Sequence, residues 1–161
     1  MIKPASLRAA IAKAIPSLVA DPDKLTVFID GGSIAATGAR SLSFEYRYTC
    51  NVILLDFAGD SDELFVAIVE WARQYQADLV LNPDERAAGI TYEVDILDNA
   101  TADVSIKLQL TESVVVRDGN DGQRRIEHVD DSQVPPQSYT LCAEAMGYLD
   151  GVPLGARGNG D

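Results

Sequence analysis

The chain has 161 residues, 47% of them apolar, and carries 25 acidic against 13 basic side chains for a net charge of −12. That length predicts one domain with a core that needs no disulfide staples. The acidic balance excludes a protein built to grip phosphate backbones or anionic membranes, and no apolar run approaches the roughly 18 residues of a membrane span.

The first predicted element is a helix. Pro4 suits a first helical position, and Leu7, Ile11, Ala14, Ile15 and Leu18 recur at three- and four-residue steps. Pro16 should break it, leaving Ser17 to Ala20 as a separate turn. Leu25, Val27 and Ile29 predict a short strand, ended by the loop Asp30-Gly31-Gly32-Ser33, whose glycines supply positive φ. A glycine pair can also cradle phosphate, but no Lys-Ser/Thr follows it. Residues 34 to 40 read as a connector.

Leu42 to Phe57 is the longest strand signal. Phe44, Tyr46, Tyr48, Cys50, Val52 and Leu54 fall on one face, and Glu45, Arg47, Thr49 and Asn51 on the other. About 14 extended residues cover roughly 45 Å, against about 40 Å for a compact domain of this size. The strand must span the domain, bend at a bulge, or project beyond the body. Glu45, Arg47 and Tyr48 are expected at or near a subunit contact, where opposite charges on a strand can set register. The alternative is an ordinary ion pair on a solvated face.

Asp60 with Glu63 has capping-box spacing and opens a helix whose apolar face is Leu64, Phe65, Ile68, Val69, Trp71, Ala72 and Tyr75. Asp56, Asp60, Asp62 and Glu63 lack the spacing of a calcium loop, and acids near a helix start are expected from its dipole, so no metal is assigned. Leu79-Val80-Leu81 is a short apolar run, Asn82-Pro83 starts a helical turn, and Gly89 stops it. Ile90 to Leu97 and Val104 to Thr111 predict an antiparallel hairpin around the turn Asp98-Asn99. The second strand can continue through Val116. Asp118 to Gly122 is a turn and Ile126 to Val129 a return strand. His128, the one histidine, has no Ser or Cys nucleophile motif near it and reads as a surface or packing residue. Cys50 and Cys142 read as small buried apolar residues in a reducing compartment.

Asp130 to Ser138, with Pro135-Pro136, reads as a linker, followed by an added strand through Tyr139, Leu141 and Ala143, a turn at Leu149 to Val152, and a frayed end from Gly155. The expected division is an α+β domain over 1–132 and a C-terminal extension over 133–161, partly ordered only against a neighbour. The fold class is α+β: a mostly antiparallel sheet with two main helices packed on one face. The expected core is Ile11, Val27, Ile29, Val52, Leu54, Leu64, Ile68, Trp71, Val94, Ile96, Ile106 and Leu108. No acid–base pair, nucleophile elbow, metal set or phosphate loop emerges, so no catalytic, cofactor or metal residue is assigned.

Five segments go further. They are Lys3-Pro4-Ala5-Ser6-Leu7-Arg8, Asp30-Gly31-Gly32-Ser33-Ile34-Ala35, Ser41-Leu42-Ser43-Phe44-Glu45-Tyr46-Arg47-Tyr48-Thr49-Cys50-Asn51-Val52, Asp56-Phe57-Ala58-Gly59-Asp60 and Leu108-Gln109-Leu110-Thr111-Glu112. In order and spacing, over residues 1 to 115, the chain resembles the tail completion protein R family of temperate contractile-tailed phages of the P-two type. The resemblance implies a structural virion protein, not an enzyme, without cofactor. It implies a tail-terminator-like α+β subunit in a six-membered ring, closing the head-proximal end of the tail tube and offering a surface to the head connector. Its implied partners are further copies of itself, tube and sheath proteins and neck proteins, with passive contact to genomic DNA and none to membrane. Its implied place is the neck end of the virion tail, after assembly in the host bacterial cytoplasm. A neck protein that joins head to tail without ending the tube, and a small non-phage binding domain, are the alternatives.

Overall fold

The computed structural model describes residues 1–36, 38, 41–97, 100–119 and 122–133. The expected turn at Asp98-Asn99, the centre of the turn before Gly122, and every expectation from Pro135 onward, Cys142 included, lie outside the described residues. The chain divides into two units, Met1–Asp131 and Ser132–Asp161.

The first unit is α+β. Helix α1 spans Lys3–Ala14 and a turn of helix, α2, spans Ser17–Ala20. Pro16 separates them as its missing N–H requires. Leu7 and Ile11 are fully buried, one turn apart on the same stripe. After a 3-10 turn at Pro22–Lys24 come strands β1 (Leu25–Ala36) and β2 (Phe44–Phe57). Helix α3 spans Ser61–Tyr75. It starts where the Asp60 carboxylate accepts the Asp62 N–H at 2.8 Å, satisfying one orphan donor of the first turn. Two single turns follow, α4 (Asp78–Leu81) and α5 (Pro83–Arg86), the second capped by Asn82. Strands β3 (Ile90–Ile96), β4 (Ala102–Asp118) and β5 (Arg124–His128) complete the sheet.

All pairings among the described residues are antiparallel, in the order β1-β2-β4-β3, with β5 also on β4. β3 pairs with Ala102 to Leu108 and β5 with Val114 to Asp118. They therefore lie end to end along one side of β4. Helices α1 and α3 cover one face, where Cys50, Val52, Leu54, Leu64, Ile68, Ile106 and Leu108 are all fully buried. Trp71 is 3% exposed, donates its indole N–H to Ser6 Oγ at 2.9 Å and stacks on Tyr75. Cys50 is a free, buried thiol, pushed up to about 11 by burial and by the negative charge of Glu112.

Three expectations need correction. Gly31 and Gly32 do not end β1. The strand runs on to Ala36, and the described glycines with positive φ are Gly38 and Gly122. The register against β2 slips between Ile29 and Gly31, a β-bulge. Gly32 then passes so close to β2 that an added Cβ would stand 2.7 Å from the Arg47 carbonyl oxygen and 2.8 Å from Tyr48 Cβ. Glycine is needed there for close approach, not for a turn. Residues 34–36, read as connector, belong to the same strand.

Val94 and Ile96 are not core; they are 41% and 80% exposed. They share the helix-facing side with their partners Val104 and Ala102, but β3 is an edge strand: α3 reaches Tyr92, whose ring lies 4.8 Å from that of Phe65, and leaves Val94 and Ile96 exposed. Val27 and Ile29 pack on the core while half-buried.

The apolar run Leu79-Val80-Leu81 is helical, in α4, with Leu79 buried in the core.

β2 ends in a local break of alternation. Asp56 has φ 48°, left-handed and unusual for a residue with a side chain, and its N–H is held by Asp103 Oδ1 at 2.9 Å. The slip between Leu54 and Phe57 turns Phe57 into the core.

Candidate assembly surfaces and the buried clamp

The long strands outrun the helices. β4 alone has 17 residues, roughly 55 Å when extended. Beyond Tyr48 the sheet continues as an arm made of the ends of β1, β2 and β4 with β5. On its helix-facing side Tyr46 packs edge-on to Phe44 and stacks on His128. Ile34, beside Tyr46, is 64% exposed.

At the root of this arm sits a buried polar clamp. Glu112 is 1% exposed, in line with Ile106, Leu108 and Leu110 on the apolar face of β4. It accepts the N–H groups of Ile2 at 2.8 Å and Lys3 at 3.1 Å, the opening donors of α1, and the Tyr48 hydroxyl. His128 Nδ1 lies 3.3 Å from its second oxygen. Burial alone would raise the Glu112 pKa. The bonds from Tyr48, Ile2 and Lys3, with the charge of the chain's amino terminus, outweigh it and hold the carboxyl below its ordinary range. Burial, then the hydrogen bond to Glu112, raises the Tyr48 hydroxyl in turn.

Lys3 is also buried, donating to Gln76 Oε1 at 2.8 Å and Asp131 Oδ2 at 2.6 Å. Gln76 caps the end of α3 and inserts between β3 and β5. Its Oε1 accepts the Thr111 N–H at 3.0 Å, so a side chain satisfies β4 where no strand does. One cluster thus ties α1, α3, β2 and β4 together.

Of the three residues expected at a contact, the fold brings two to the surface. Arg47 donates to Glu45 Oε1 at 2.7 Å, with the arginine side chain 64% exposed. Both line a groove of about 720 Å³ with Ser33, Asp78, Glu85 and Thr111. Tyr48 points the other way into the clamp and is 5% exposed. Glu112 and Lys3 were missed in the sequence although their spacing marks them: Glu112 continues the inward alternation of β4, and Lys3 is four residues before Leu7.

Among the described residues no three His, Cys, Asp or Glu side chains stand close enough to hold a metal, and no helix is long and apolar enough to cross a membrane. Asp60 is a helix cap and Asp103 holds the bulge at Asp56.

The family model of P2 phage tail completion protein R (GpR) matches residues 1–132, beyond the 115 over which the motifs are legible. Tail completion protein R of Escherichia phage P2 is 41% identical over 151 residues, covering 94% of this chain and 95% of that protein. No solved structure matches. Matched from its first residue through β5 and along nearly the whole length of a relative, the chain belongs to the P2 phage tail completion protein R family, structural proteins of the phage tail and not enzymes.

Proposed function

We propose that the protein closes the head-proximal end of the tail tube, as a ring of six copies, and presents a surface to the head connector. The observation that carries this reading is the helix-free arm. Strands longer than one domain needs, with a charged pair on one side and uncovered apolar residues on the other, fit a subunit that is completed by its neighbours. Glu45 and Arg47 are the proposed contact residues on the groove side. Tyr48 acts behind them by fixing Glu112 and the root of the arm. Residues 1–132 form the tail completion domain. Its place is the neck end, reached by assembly in the bacterial cytoplasm, with only passive contact to the genome.

The test is to image tails made by phage whose copy is inactivated. Closure of the tube predicts tails of uneven, excessive length without heads, restored by wild-type protein added in trans. Tails of normal length that lack heads would instead favour a neck protein. Normal tails carrying heads would refute both. Arg47→Glu should lower infectious yield while leaving the fold intact, and normal yield would remove the Arg47 contact.

A further inference from the structure

The free side of the sheet carries two short edge strands of opposite character. On β3, Tyr92, Val94 and Ile96 are exposed at 61%, 41% and 80% on the helix-facing side. Glu93 and Asp95 alternate with them on the outer side; Glu93, still 80% exposed, lies 3.9 Å from Lys107 of its own sheet, and Asp95 stands directly opposite Asp103. On β5, Ile126 is 64% exposed on the helix-facing side, and Arg125 on the outer side stands directly opposite Arg117. Like charges facing each other across a ladder are destabilising. The fold therefore keeps an acidic pair at one end of this edge and a basic pair of the same kind at the other. Neither Arg117 nor Arg125 takes part in an ion pair among the described residues, whereas Arg124 is held by Asp118 at 2.9 Å. No described strand pairs with the outer side of β3 or of β5.

We infer that β5 of one copy of this chain pairs with β3 of another, adding strand to strand across the subunit boundary. Set antiparallel with Arg125 opposite Glu93, the register brings Ile126 opposite Tyr92 and Glu127 opposite Thr91, with Asp95 diagonal to Arg125. On the helix-facing side Ile126 meets Tyr92, with Arg124 opposite Val94 and His128 opposite Ile90, and on the outer side the Arg125 cation meets the Glu93 anion. The edge hydrogen bonds that no described strand fills on β3 and β5 are closed at the same time. The occupant is a second copy because each surface supplies what the other lacks, in sign and in position. The contact names the surfaces through which the copies of the proposed ring would meet, and so rests on that reading.

Two variants test it in assembled virions. Tyr92→Cys with Ile126→Cys, in a Cys142→Ser background, places a thiol on each side of the proposed junction, while Cys50 stays buried. Mild oxidation should link copies on a non-reducing gel, and either cysteine alone should not. A ladder beyond the dimer supports both the contact and the ring. Linkage that stops at the dimer supports the contact and overturns the ring. Virions that contain several copies but give no linkage overturn the contact and leave the ring standing. Independently, Arg125→Glu and Glu93→Arg should each weaken copy–copy association about tenfold or more, and the two together in one chain should restore it. No effect of either reversal, or failure of the double variant to recover while it remains folded, would also overturn the contact.

Discussion

Replacing Glu112 by Gln is the sharpest probe of the clamp. The amide keeps one accepting oxygen and turns its NH₂ toward groups that are themselves donors: the N–H of Ile2, the N–H of Lys3 and the Tyr48 hydroxyl. At least one buried donor loses its acceptor, and the charge assistance on the others goes. Each such loss costs about 1–3 kcal/mol, so about 3 kcal/mol is expected in total. For a domain of this size that lowers Tm by roughly 10 °C. The pH dependence carries the signature. Because the folded carboxyl lies below its unfolded value of 4.5, its stabilisation is present above about pH 4.5 and is lost as pH falls through the depressed folded value. The gap in Tm between wild type and Glu112→Gln should therefore narrow as the buffer is taken from about pH 6 to about pH 3. Thermal denaturation followed by circular dichroism reads this. A variant within about 2 °C of wild type, or a gap that stays constant into acid, would refute the clamp as described.

Gly32→Ala should destabilise by about 1–3 kcal/mol in urea unfolding, since its Cβ meets the Arg47 carbonyl, whereas Gly31→Ala, with open space around it, should be near neutral. Cys50 should resist thiol reagents in the native protein. Its raised pKa means that stability is intact below pH 9 and declines as pH rises toward 11, measurable as thiolate absorbance that appears only with unfolding. Trp71→Ala should cost about 3–5 kcal/mol, including the bond to Ser6, read by denaturant midpoint. Labelled duplex DNA should show no measurable anisotropy change at physiological salt, because a chain of net charge −12 has no row of cations to displace counterions; micromolar, salt-sensitive binding would overturn this.

What could be read from the sequence was what local chemistry decides. Asp60 and the stripe from Leu64 to Trp71 specify α3 by capping and period, and alternation specifies β2 and β4 because each has one covered face. What could not be read was set by distant partners. Gly31-Gly32 has the composition of a turn, and only the approach of Arg47 and Tyr48 reveals why a strand needs it. Val94 and Ile96 alternate as core residues do, but alternation does not say whether a helix lies above them. Gln76 carries no pattern at all, since its partners, Lys3 and Thr111, are brought to it by the fold.

The Gln76 side chain between β3 and β5 bears on how the molecule avoids uncontrolled polymerisation. A single uninterrupted edge along all of β4 would be a long, flat template, the kind that recruits strands from any chain and grows fibres. A side chain carried on the end of a helix breaks that edge into two short stretches, each too small to hold a foreign strand firmly alone. A docking partner must match both length and charge. The obstruction that costs the sheet a few ladder bonds thereby makes open-ended aggregation unfavourable in a structural protein of the phage tail.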